Sequence, residues 1–334
     1  MHPNQVGAVV LAALEGVDLS PEERTCFEQV PPAGFTLFRR NLSSSYHRIL
    51  QLCRSIQALS STPLIIAIDQ EGGRVARLRS PFPDQGPALG LMQGSADAEA
   101  LLAIENYAFV VGASLLRLGV NVDFAPVLDI LTREDNLSIG DRCFGRDPET
   151  VVLRAGAFLR GLQGAGVWGC LKHFPGQGDA GFDTHESGAR IDADRALLQS
   201  RELLPFARLM PECPMIMISH ATYPALDAER PASLSPKIMQ TLIREQLHYR
   251  GLIVSDDMNM KAIDQSREPW CAAIIAAVAA GVDLILVCRE LDRYRWAVEA
   301  LSREAQRSPA FYRRLEEALQ RVHALRSRLN SPMS

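Results

Sequence analysis

Charged and polar side chains follow five of the eight short apolar runs in this sequence, and they are residue types that bind polar ligands. Asp69 follows the third run, Lys172 and His173 follow the fifth, and Asp256 follows the seventh. Carboxylates accept hydrogen bonds from hydroxyl groups, whereas lysine, arginine and protonated histidine donate them. One such residue alone is usually a helix cap or a solvated charge. Five runs ending in the same way favour a shared site for one polar ligand.

The eight apolar runs predict the strands of a parallel sheet, because they are continuous rather than alternating, as in strands that helices cover. The runs are Ala8–Ala12, Phe35–Phe38, Leu64–Ile68, Val120–Phe124, Trp168–Leu171, Met215–Ile218, Leu252–Val254 and Leu284–Val287. Apolar residues at helical spacing lie between them, at Ala98–Leu118, Val151–Leu162 and Ile238–Leu247. This alternation predicts an α/β fold, a single (β/α)8 barrel of the TIM type over residues 1–334. A doubly wound open sheet is the alternative, since periodicity does not show closure.

Start and stop signals define several of the helices. Ser20-Pro21-Glu22-Glu23 and Ser235-Pro236 each place a capping serine before a proline that suits the first turn. Gly164 and Gly166 favour a helix end before the fifth strand, because glycine adopts the left-handed cap conformation. The segment 301–330, rich in arginine and glutamate, is predicted to be a terminal helix with solvated charges.

The composition is that of a soluble globular protein. Of the 334 residues, 47% are hydrophobic and 22% are charged, and the formal net charge is −4. Such a balance gives no electrostatic reason to bind nucleic acid or an anionic membrane surface, so we expect neither as a partner. A small polar molecule is the expected ligand.

The cysteines and the first residues bear on the cellular compartment. Seven cysteines are scattered without a Cys-x-x-Cys pair, which indicates neither a disulfide framework nor a zinc knuckle and favours a reducing compartment. The apolar run Gly7–Leu14 lacks the basic start of an export signal, so we interpret it as a buried strand. No run approaches the ~18 apolar residues of a membrane span. We therefore expect a cytoplasmic protein.

Five ordered motifs run from Asp69 to Met260. They are Asp69-Gln70-Glu71-Gly72-Gly73-Arg74-Val75, Asp123-Phe124-Ala125-Pro126-Val127-Leu128-Asp129, Lys172-His173-Phe174-Pro175-Gly176, Asp183-Thr184-His185 and Ser255-Asp256-Asp257-Met258-Asn259-Met260. This set resembles glycoside hydrolase family 3, in its single-domain bacterial β-N-acetylglucosaminidase branch. The resemblance implies one catalytic barrel domain that acts on a glycan without a cofactor or a metal ion.

The resemblance also implies a covalent mechanism. Asp256 matches the nucleophile that attacks the anomeric carbon, forming a glycosyl-enzyme that water hydrolyses with net retention. Asp183 and His185, on the loop after the fifth strand, match an acid/base pair in which the aspartate orients the imidazole. Asp257 is interpreted instead as a helix cap or a backbone acceptor. By the same resemblance, the sugar in the −1 subsite is held by Asp69, Arg77, Arg142, Lys172 and His173.

One motif departs from the family pattern. The family reads Pro-Gly-His-Gly where this chain has Pro175-Gly176-Gln177-Gly178. Glutamine forms hydrogen bonds but carries no charge, so the departure bears on loop conformation and aglycone preference. The spacing to Asp183 and His185 is kept. Together with Gly181, the glycines of this motif are expected to let the loop close over substrate.

The substrate implied by the resemblance is a peptidoglycan fragment, GlcNAc linked β-1,4 to anhydro-MurNAc with or without peptide, cleaved in cell-wall recycling. The sequence shows no oligomeric state, and a monomer is the expectation. Three alternatives stay open. A zinc hydrolase is disfavoured because no His-x-His or His-Glu-x-x-His spacing occurs; its ligands would be His173, His185, His220 and Asp123. A family 3 phosphorylase would use phosphate as acceptor, which a histidine does not repel. A catalytically silent sugar-binding protein is supported by Gln177.

Overall fold

Short apolar strands and amphipathic helices alternate along the chain in the computed structural model, as the hydrophobic pattern predicts. The structure describes residues 3–80, 82–83, 86–88, 90, 96–181 and 188–329. The strands are β1 (Val10–Ala13), β2 (Gly34–Leu37), β3 (Ile65–Ile68), β4 (Gln70–Gly72), β5 (Val75–Ala76), β6 (Val122–Asp123), β7 (Leu171–Phe174), β8 (Met215–Ile218), β9 (Thr222–Tyr223), β10 (Asp227–Pro231), β11 (Leu252–Asp257) and β12 (Leu284–Leu286). Within the described residues, β4–β5 and β9–β10 form small antiparallel pairs, and the other strands form one parallel sheet.

The parallel sheet closes on itself to form a barrel. Its strand order is β6-β3-β2-β1-β12-β11-β8-β7, which leaves β6 and β7 at the two ends. Residues just before β7 join these ends. The Asp123 amide donates to the Trp168 carbonyl (2.9 Å), and the Trp168 amide donates to the Asn121 carbonyl (3.0 Å). The predicted (β/α)8 barrel is confirmed, and the open-sheet alternative is wrong.

Two strands reach further along the chain than their apolar runs predict. The run Trp168–Leu171 predicts the fifth barrel strand, but only its last residue belongs to β7, because the first part pairs through the bridges that close the barrel. β11 continues past the predicted Leu252–Val254 to include Asp256. Lys172, His173 and Asp256 are therefore strand residues, and the sheet fixes their backbone.

The helices lie between the strands and cover the barrel. They are α1 (Pro3–Val6), α2 (Pro21–Gln29), α3 (Tyr46–Gln57), α4 (Ala98–Leu118), α5 (Pro148–Gly164), α6 (Arg195–Leu197), α7 (Leu203–Leu209), α8 (Arg267–Ala280), α9 (Leu291–Arg307) and α10 (Pro309–Arg328), with π-helical stretches at Leu198–Glu202 and Lys237–Gln246. The predicted capping box is present in α2, where the Glu23 amide donates to Ser20 Oγ (3.2 Å) and the Ser20 amide donates to the Glu23 carboxylate (2.8 Å). α4 has the predicted bounds.

The terminal segment 301–330 is not the single helix that its composition predicts. It contains the end of α9 and, after a break, α10. Pro309 has no amide hydrogen with which to continue α9, but it suits the first turn of a new helix. Ser308 caps that helix by accepting a hydrogen bond from the Phe311 amide (3.2 Å).

α10 covers the amino-terminal end of the barrel. Val322 and Leu325 pack in the same buried cluster as the side chains that fill the barrel interior. Arg314 and Arg321 form ion pairs with Asp283, which is fully buried directly before β12. Because this end is covered, the carboxyl ends of the strands form the mouth, where barrel enzymes carry their active sites.

Candidate active site

Asp256 lies at the carboxyl end of β11, in a pocket at the mouth of the barrel. The pocket is lined by Ser138, Arg142, His173, Gln177, Ala189, His220, Ala221, Asp256, Met260 and Ala262. A carboxylate, a guanidinium and two imidazoles thus line the same cavity. Asp256 Oδ1 accepts a hydrogen bond from the Asp257 amide (2.8 Å), which fixes the orientation of the carboxylate.

Beside this pocket is a network of buried ion pairs centred on Lys172. Its Nζ lies 2.8 Å from Asp69 Oδ1 and 2.6 Å from Glu71 Oε1. Asp69 also pairs with Arg77, with 2.9 Å between Oδ2 and Nη2. Glu71 accepts two hydrogen bonds from Arg142, whose Nε and Nη2 lie 2.7 and 2.8 Å from its oxygens. The structure therefore brings together four of the predicted sugar-binding residues.

Burial and the neighbouring cations have opposite effects on the pKa values of the carboxyl groups in this network. Burial alone would raise the pKa of Glu71, but Lys172 and Arg142 outweigh it and hold that pKa at about 2. Burial acts likewise on Asp69, whose pKa Lys172 and Arg77 hold well below its usual range. Desolvation opposes the charge of Lys172, yet the two carboxylates raise its pKa. At neutral pH the network is an array of fixed charges that can bind sugar hydroxyls.

These lowered pKa values predict a loss of stability in acid. Asp69 and Glu71 bind protons less readily in the folded state, so their contribution to stability is complete above their ordinary pKa values of 3.8 and 4.5. That contribution is lost as the pH falls through this range toward about 2. We expect the urea concentration at half-unfolding, followed by circular dichroism, to fall steadily over this interval.

Lys172→Met is the informative comparison for this prediction. The variant leaves Asp69 and Glu71 without their shared buried cation, and breaking such a pair costs about 3–5 kcal/mol. The stability that the variant loses relative to the wild type should be largest at neutral pH. It should become smaller in acid, because protonation removes the unpaired charges of the two carboxylates. If the half-unfolding points of both proteins fell in parallel with pH, the electrostatic role of the network would be contradicted.

Asp123 is a third carboxyl group close to this network, and its surroundings differ. It is fully buried at the end of β6, where Oδ1 accepts a hydrogen bond from the Gln70 amide (2.9 Å). Its Oδ2 has no hydrogen-bond partner among the described residues. Burial raises the pKa of Asp123 to about 7. Unlike Asp69 and Glu71, this group exchanges between its neutral and charged forms near neutral pH.

His173 is held in one orientation by hydrogen bonds to both ring nitrogens. Nδ1 lies 2.6 Å from Asp129 Oδ2, and Nε2 lies 3.4 Å from Arg142 Nη2. A guanidinium only donates, so Nε2 accepts and Nδ1 carries the hydrogen that points to Asp129. The other oxygen of Asp129 accepts from the Gln177 amide (2.7 Å). Asp129 therefore links His173 to the loop that follows β7.

His220 lies on the pocket wall near Asp256 and is held as a neutral imidazole. Its Nδ1 is 2.7 Å from Ser233 Oγ, and its Nε2 is 3.2 Å from the carbonyl oxygen of Asp257. Because a carbonyl only accepts, Nε2 carries the hydrogen and Nδ1 accepts from the serine hydroxyl. Burial lowers the pKa of His220, although Asp256 acts in the opposite direction. His220 thus supports the backbone next to Asp256.

The Asp257 side chain binds backbone amides, as the sequence predicts. It accepts hydrogen bonds from the amides of Asn259 (3.0 Å) and Cys288 (3.2 Å). Burial raises its pKa to about 6, and the charge of Asp256 adds to that effect. Asp257 does not line the pocket, so Asp256 is the only carboxylate among the described residues that do.

The loop after β7 begins with two glycines at positions where a larger residue would clash with its neighbours. Gly176 has a φ of +121°, and a Cβ there would stand 2.9 Å from the Glu202 carboxylate. A Cβ on Gly178 would stand 2.0 Å from the Ile130 carbonyl oxygen. In this conformation Gly176 and Gly178 are therefore required by the local packing, and closure of the loop over substrate stays a prediction. Gly181 is exposed, with no atom within 4 Å of where its Cβ would stand.

Side chains from neighbouring elements anchor the same stretch. Asn136 Nδ2 donates to the carbonyl oxygens of Gln177 and of the residue after it, at 2.8 Å each. Asp179 accepts hydrogen bonds from the Thr132 hydroxyl and from Arg201. The anchors at Gln177 act on its backbone, while the residue also lines the pocket. The departure from the family pattern therefore changes the pocket wall and leaves the backbone anchors in place.

Asp183 and His185, the predicted acid/base pair, lie outside the described residues, as does Thr184. The described chain lines the pocket on both sides of this segment. Gln177 precedes it and Ala189 follows it, and both line the pocket that contains Asp256. The positions of the two residues stay a prediction from the motif.

Comparison with known proteins assigns the chain to a family. The model of the glycosyl hydrolase family 3 N-terminal domain matches residues 8–325. The chain belongs to glycosyl hydrolase family 3. A β-hexosaminidase of Stenotrophomonas maltophilia (strain K279a) is 35% identical over 285 residues, which cover 84% of this chain and 83% of that protein. One of Pseudomonas aeruginosa (strain LESB58) is 34% identical over 300 residues, covering 90% and 88%.

Solved structures are also similar to this chain along nearly its whole length. A β-N-acetylglucosaminidase from Paenibacillus sp. FPU-7 has a TM-score of 0.91 at 33% identity, covering all of this chain; this chain spans 64% of that one. Mycobacterium tuberculosis LpqI has a TM-score of 0.85 at 27% identity, and the match covers 100% of this chain and 95% of LpqI. Neisseria gonorrhoeae NagZ, in complex with N-trifluoroacetyl-D-glucosamine, has a TM-score of 0.79 at 26% identity, covering 94% and 98%. This family 3 protein is a glycoside hydrolase of the β-N-acetylhexosaminidase type.

Three residues that the structure places at or beside the site are not predicted from the sequence to bind sugar or to take part in catalysis. Glu71 and Asp129 stand inside the quoted motifs, and His220 directly follows β8. Glu71 could have been recognised as a site residue if its burial, two positions after Asp69, had been known. Burial is not visible in the sequence. The ring nitrogens of His173 and His220 are taken by the hydrogen bonds described above. Among the described residues, which do not include His185, no group of three or more His, Cys, Asp or Glu side chains could hold a metal ion.

Proposed function

We propose that this family 3 enzyme is a retaining exo-β-N-acetylglucosaminidase that removes a non-reducing GlcNAc from peptidoglycan fragments. The observation that carries the proposal is the composition of one pocket. Asp256 is its only carboxylate among the described residues, and Gln177 and Ala189, which also line it, flank in sequence the segment that bears His185. This arrangement supports a mechanism in which Asp256 acts as nucleophile and His185 as proton donor on one glycosidic bond.

In the first step Asp256 attacks the anomeric carbon of the bound sugar. A bond forms between its carboxylate oxygen and C1, and the bond between C1 and the glycosidic oxygen breaks. The leaving oxygen takes the proton of the His185 imidazolium. Asp183 orients that ring and favours its protonated form before the aglycone leaves.

In the second step water replaces the aglycone. The neutral His185 takes a proton from the water as its oxygen attacks C1, and the bond to Asp256 breaks. Two inversions at C1 leave the anomeric configuration as it was. Histidine suits both steps, since its ordinary pKa of about 6.5 lets it release and recover a proton near neutral pH.

The ion-pair network supplies the groups that hold the sugar. Asp69 presents a charged acceptor to hydroxyl groups, and Lys172 and Arg77 present donors. Arg142 and His173 reach the pocket that contains Asp256. The bound N-trifluoroacetyl-D-glucosamine of the Neisseria NagZ structure supports an N-acylated glucosamine as the sugar.

The proposed substrate, GlcNAc-β-1,4-anhydro-MurNAc with or without its peptide, places the enzyme in cell-wall recycling in the cytoplasm. All seven cysteines are free thiols in the structure. Free thiols suit a reducing compartment, which supports that location.

The deciding experiment compares GlcNAc-anhydro-MurNAc-peptide with the chitin disaccharide as substrates, with products separated by liquid chromatography and identified by mass spectrometry. We expect free GlcNAc from both and a higher kcat/KM for the peptidoglycan fragment. A clear preference for the chitin disaccharide would contradict the peptidoglycan assignment. Each reaction is repeated with inorganic phosphate. Formation of GlcNAc-1-phosphate would show the phosphorylase alternative instead, and no turnover of either substrate would show a silent binding protein.

A further inference from the structure

The outer face of α4 carries large apolar side chains that nothing in the described structure covers. Leu102, Phe109, Val110 and Leu116 are 57, 48, 51 and 43% exposed. They are four of the eight large apolar side chains that are exposed in the described parts of the chain. A helix on the surface of a globular protein normally turns polar residues outward. α4 therefore departs from the pattern on the side away from the core.

These side chains form a line along the helix. Leu102, Phe109 and Leu116 recur every seven residues, and seven residues are close to two helical turns. Val110 lies beside Phe109 in the same turn. At the end of the line, Tyr46 of α3 is 43% exposed and donates its hydroxyl to the Arg117 carbonyl (2.6 Å), which extends the apolar surface. We call this surface the α4 face.

The side of α4 opposite the α4 face packs against the rest of the protein. Ile104, Ala108, Val111 and Leu115 are buried in the layer between helices and barrel. Alone among the helices of the described residues, α4 is long and apolar enough by length and composition to cross a membrane. That composition reflects two apolar sides, one packed inward and one exposed.

We propose that the α4 face binds the α4 face of a second copy of this chain, with the two helices antiparallel about a two-fold axis at Phe109. Leu102 and Leu116 are each seven residues from Phe109, on opposite sides of it. A two-fold axis at that residue places Leu102 against Leu116 of the second copy, and Leu116 against Leu102. A surface that matches itself under this rotation is the condition for a closed symmetric dimer.

The charges at the two ends of the α4 face also match in this arrangement. Glu99 lies in the first turn of α4 and Arg117 in the last, and both are exposed. Neither forms an ion pair within the described residues. In the antiparallel pair, Glu99 lies about two residues along the axis from Arg117 of the second copy, roughly 3 Å. This offset is within the reach of both side chains, so each end of the interface gains one opposite-charge pair.

The same charges argue against a membrane surface as the occupant. A helix that lies on a bilayer carries lysine and arginine along the border of its apolar face. Arg117, at the end of the helix, is the only lysine or arginine of α4, and the charged residue between Leu102 and Leu116 is Glu105, whose carboxylate pairs with Arg160 of α5 (3.0 Å). The dimer also leaves both active sites open, because α4 lies on the side of the barrel and the pocket lies at its mouth.

The test is the mass of the full-length protein in solution, measured by light scattering after gel filtration over a range of concentrations. We expect twice the chain mass of 36.7 kDa at high concentration, and dissociation on dilution. Phe109→Glu should weaken the dimer by about 30-fold or more, as for a residue at the centre of an interface. Leu197→Glu, which changes an exposed leucine on α6, should not. Unchanged hydrolysis of 4-methylumbelliferyl β-GlcNAc and unchanged circular dichroism show that each variant is folded.

Charge reversal makes the test specific for the antiparallel geometry. Glu99→Arg and Arg117→Glu should each weaken the dimer, and the double variant should restore it. A wild-type protein that is monomeric at every concentration would overturn the proposal, as would a dimer that Phe109→Glu does not dissociate. A third result would also overturn the proposal: the wild-type protein stays monomeric and floats with phosphatidylcholine vesicles, whereas Phe109→Glu does not. The α4 face would then bind lipid.

Discussion

Asp256→Asn is expected to lower kcat/KM for 4-methylumbelliferyl β-GlcNAc by about 10⁴-fold or more, the scale seen when a nucleophile is removed. The amide has nearly the size of the carboxylate and keeps an oxygen that can accept the hydrogen bond from the Asp257 amide. The fold is therefore retained while the attacking charge is lost. Asp264→Asn is the matched control, because that aspartate is exposed a short distance along the chain and does not line the pocket. The control should keep wild-type activity.

Trapping the intermediate tests the same assignment without a variant. A 5-fluoro glycosyl fluoride of GlcNAc keeps the acetamido group and slows hydrolysis of the glycosyl-enzyme, so the adduct accumulates. Peptide mapping by mass spectrometry should place the sugar on Asp256. A label on another residue, or near-normal activity of Asp256→Asn, would contradict the nucleophile assignment and with it the proposed covalent mechanism.

His185→Ala is expected to have the second largest effect, and its size should depend on the leaving group. Proton transfer contributes about 10²–10⁴-fold to such reactions. A poor leaving group needs the proton to depart, so natural substrates should lose activity over that whole range. A dinitrophenyl glycoside departs as a stable anion and should lose far less. The measurement is kcat/KM across a series of aryl β-GlcNAc substrates.

The pattern across leaving groups separates proton donation from simple damage to the site. Asp183→Asn should show a weaker form of the same dependence, because the ring loses its charged partner but keeps its proton. Thr184→Ser, which keeps the hydroxyl group between the two residues, should be close to wild type. Equal losses on good and poor leaving groups would count against His185 as the proton donor, whatever the result for Asp256.

The departure at Gln177 shows why a motif needs its tertiary context. From the sequence, a change from histidine to glutamine places loop conformation in question. In the structure, Asp129 and Asn136 hold the Gln177 backbone, and a glutamine or histidine offers the same amide and carbonyl. The substituted side chain lines the pocket wall, and the hydrogen bonds that anchor the backbone of the loop do not depend on it.

Several features of this protein follow from its sequence alone. The apolar run Met215–Ile218 gives β8 and the segment Ala98–Leu118 gives α4, each with its bounds unchanged. These elements are determined locally, because hydrophobic periodicity and capping act over a few residues. The order of the motifs also predicts the family and the group of residues at the mouth. Local signals fail at the end of the chain, where Pro309 divides the predicted terminal helix.

Other features depend on which segments meet in space. The Lys172 ammonium pairs with Asp69, which lies 103 positions earlier in the chain. That distance closes only when β7 takes its place in the barrel. Glu71 becomes part of the site for the same reason, since its burial and its pairing with Arg142 arise from long-range packing. The two apolar sides of α4 look alike in the sequence. Only packing against the barrel and α5 decides that one side is core and that Leu102, Phe109 and Leu116 face outward, because burial is a property of neighbours that local sequence does not contain.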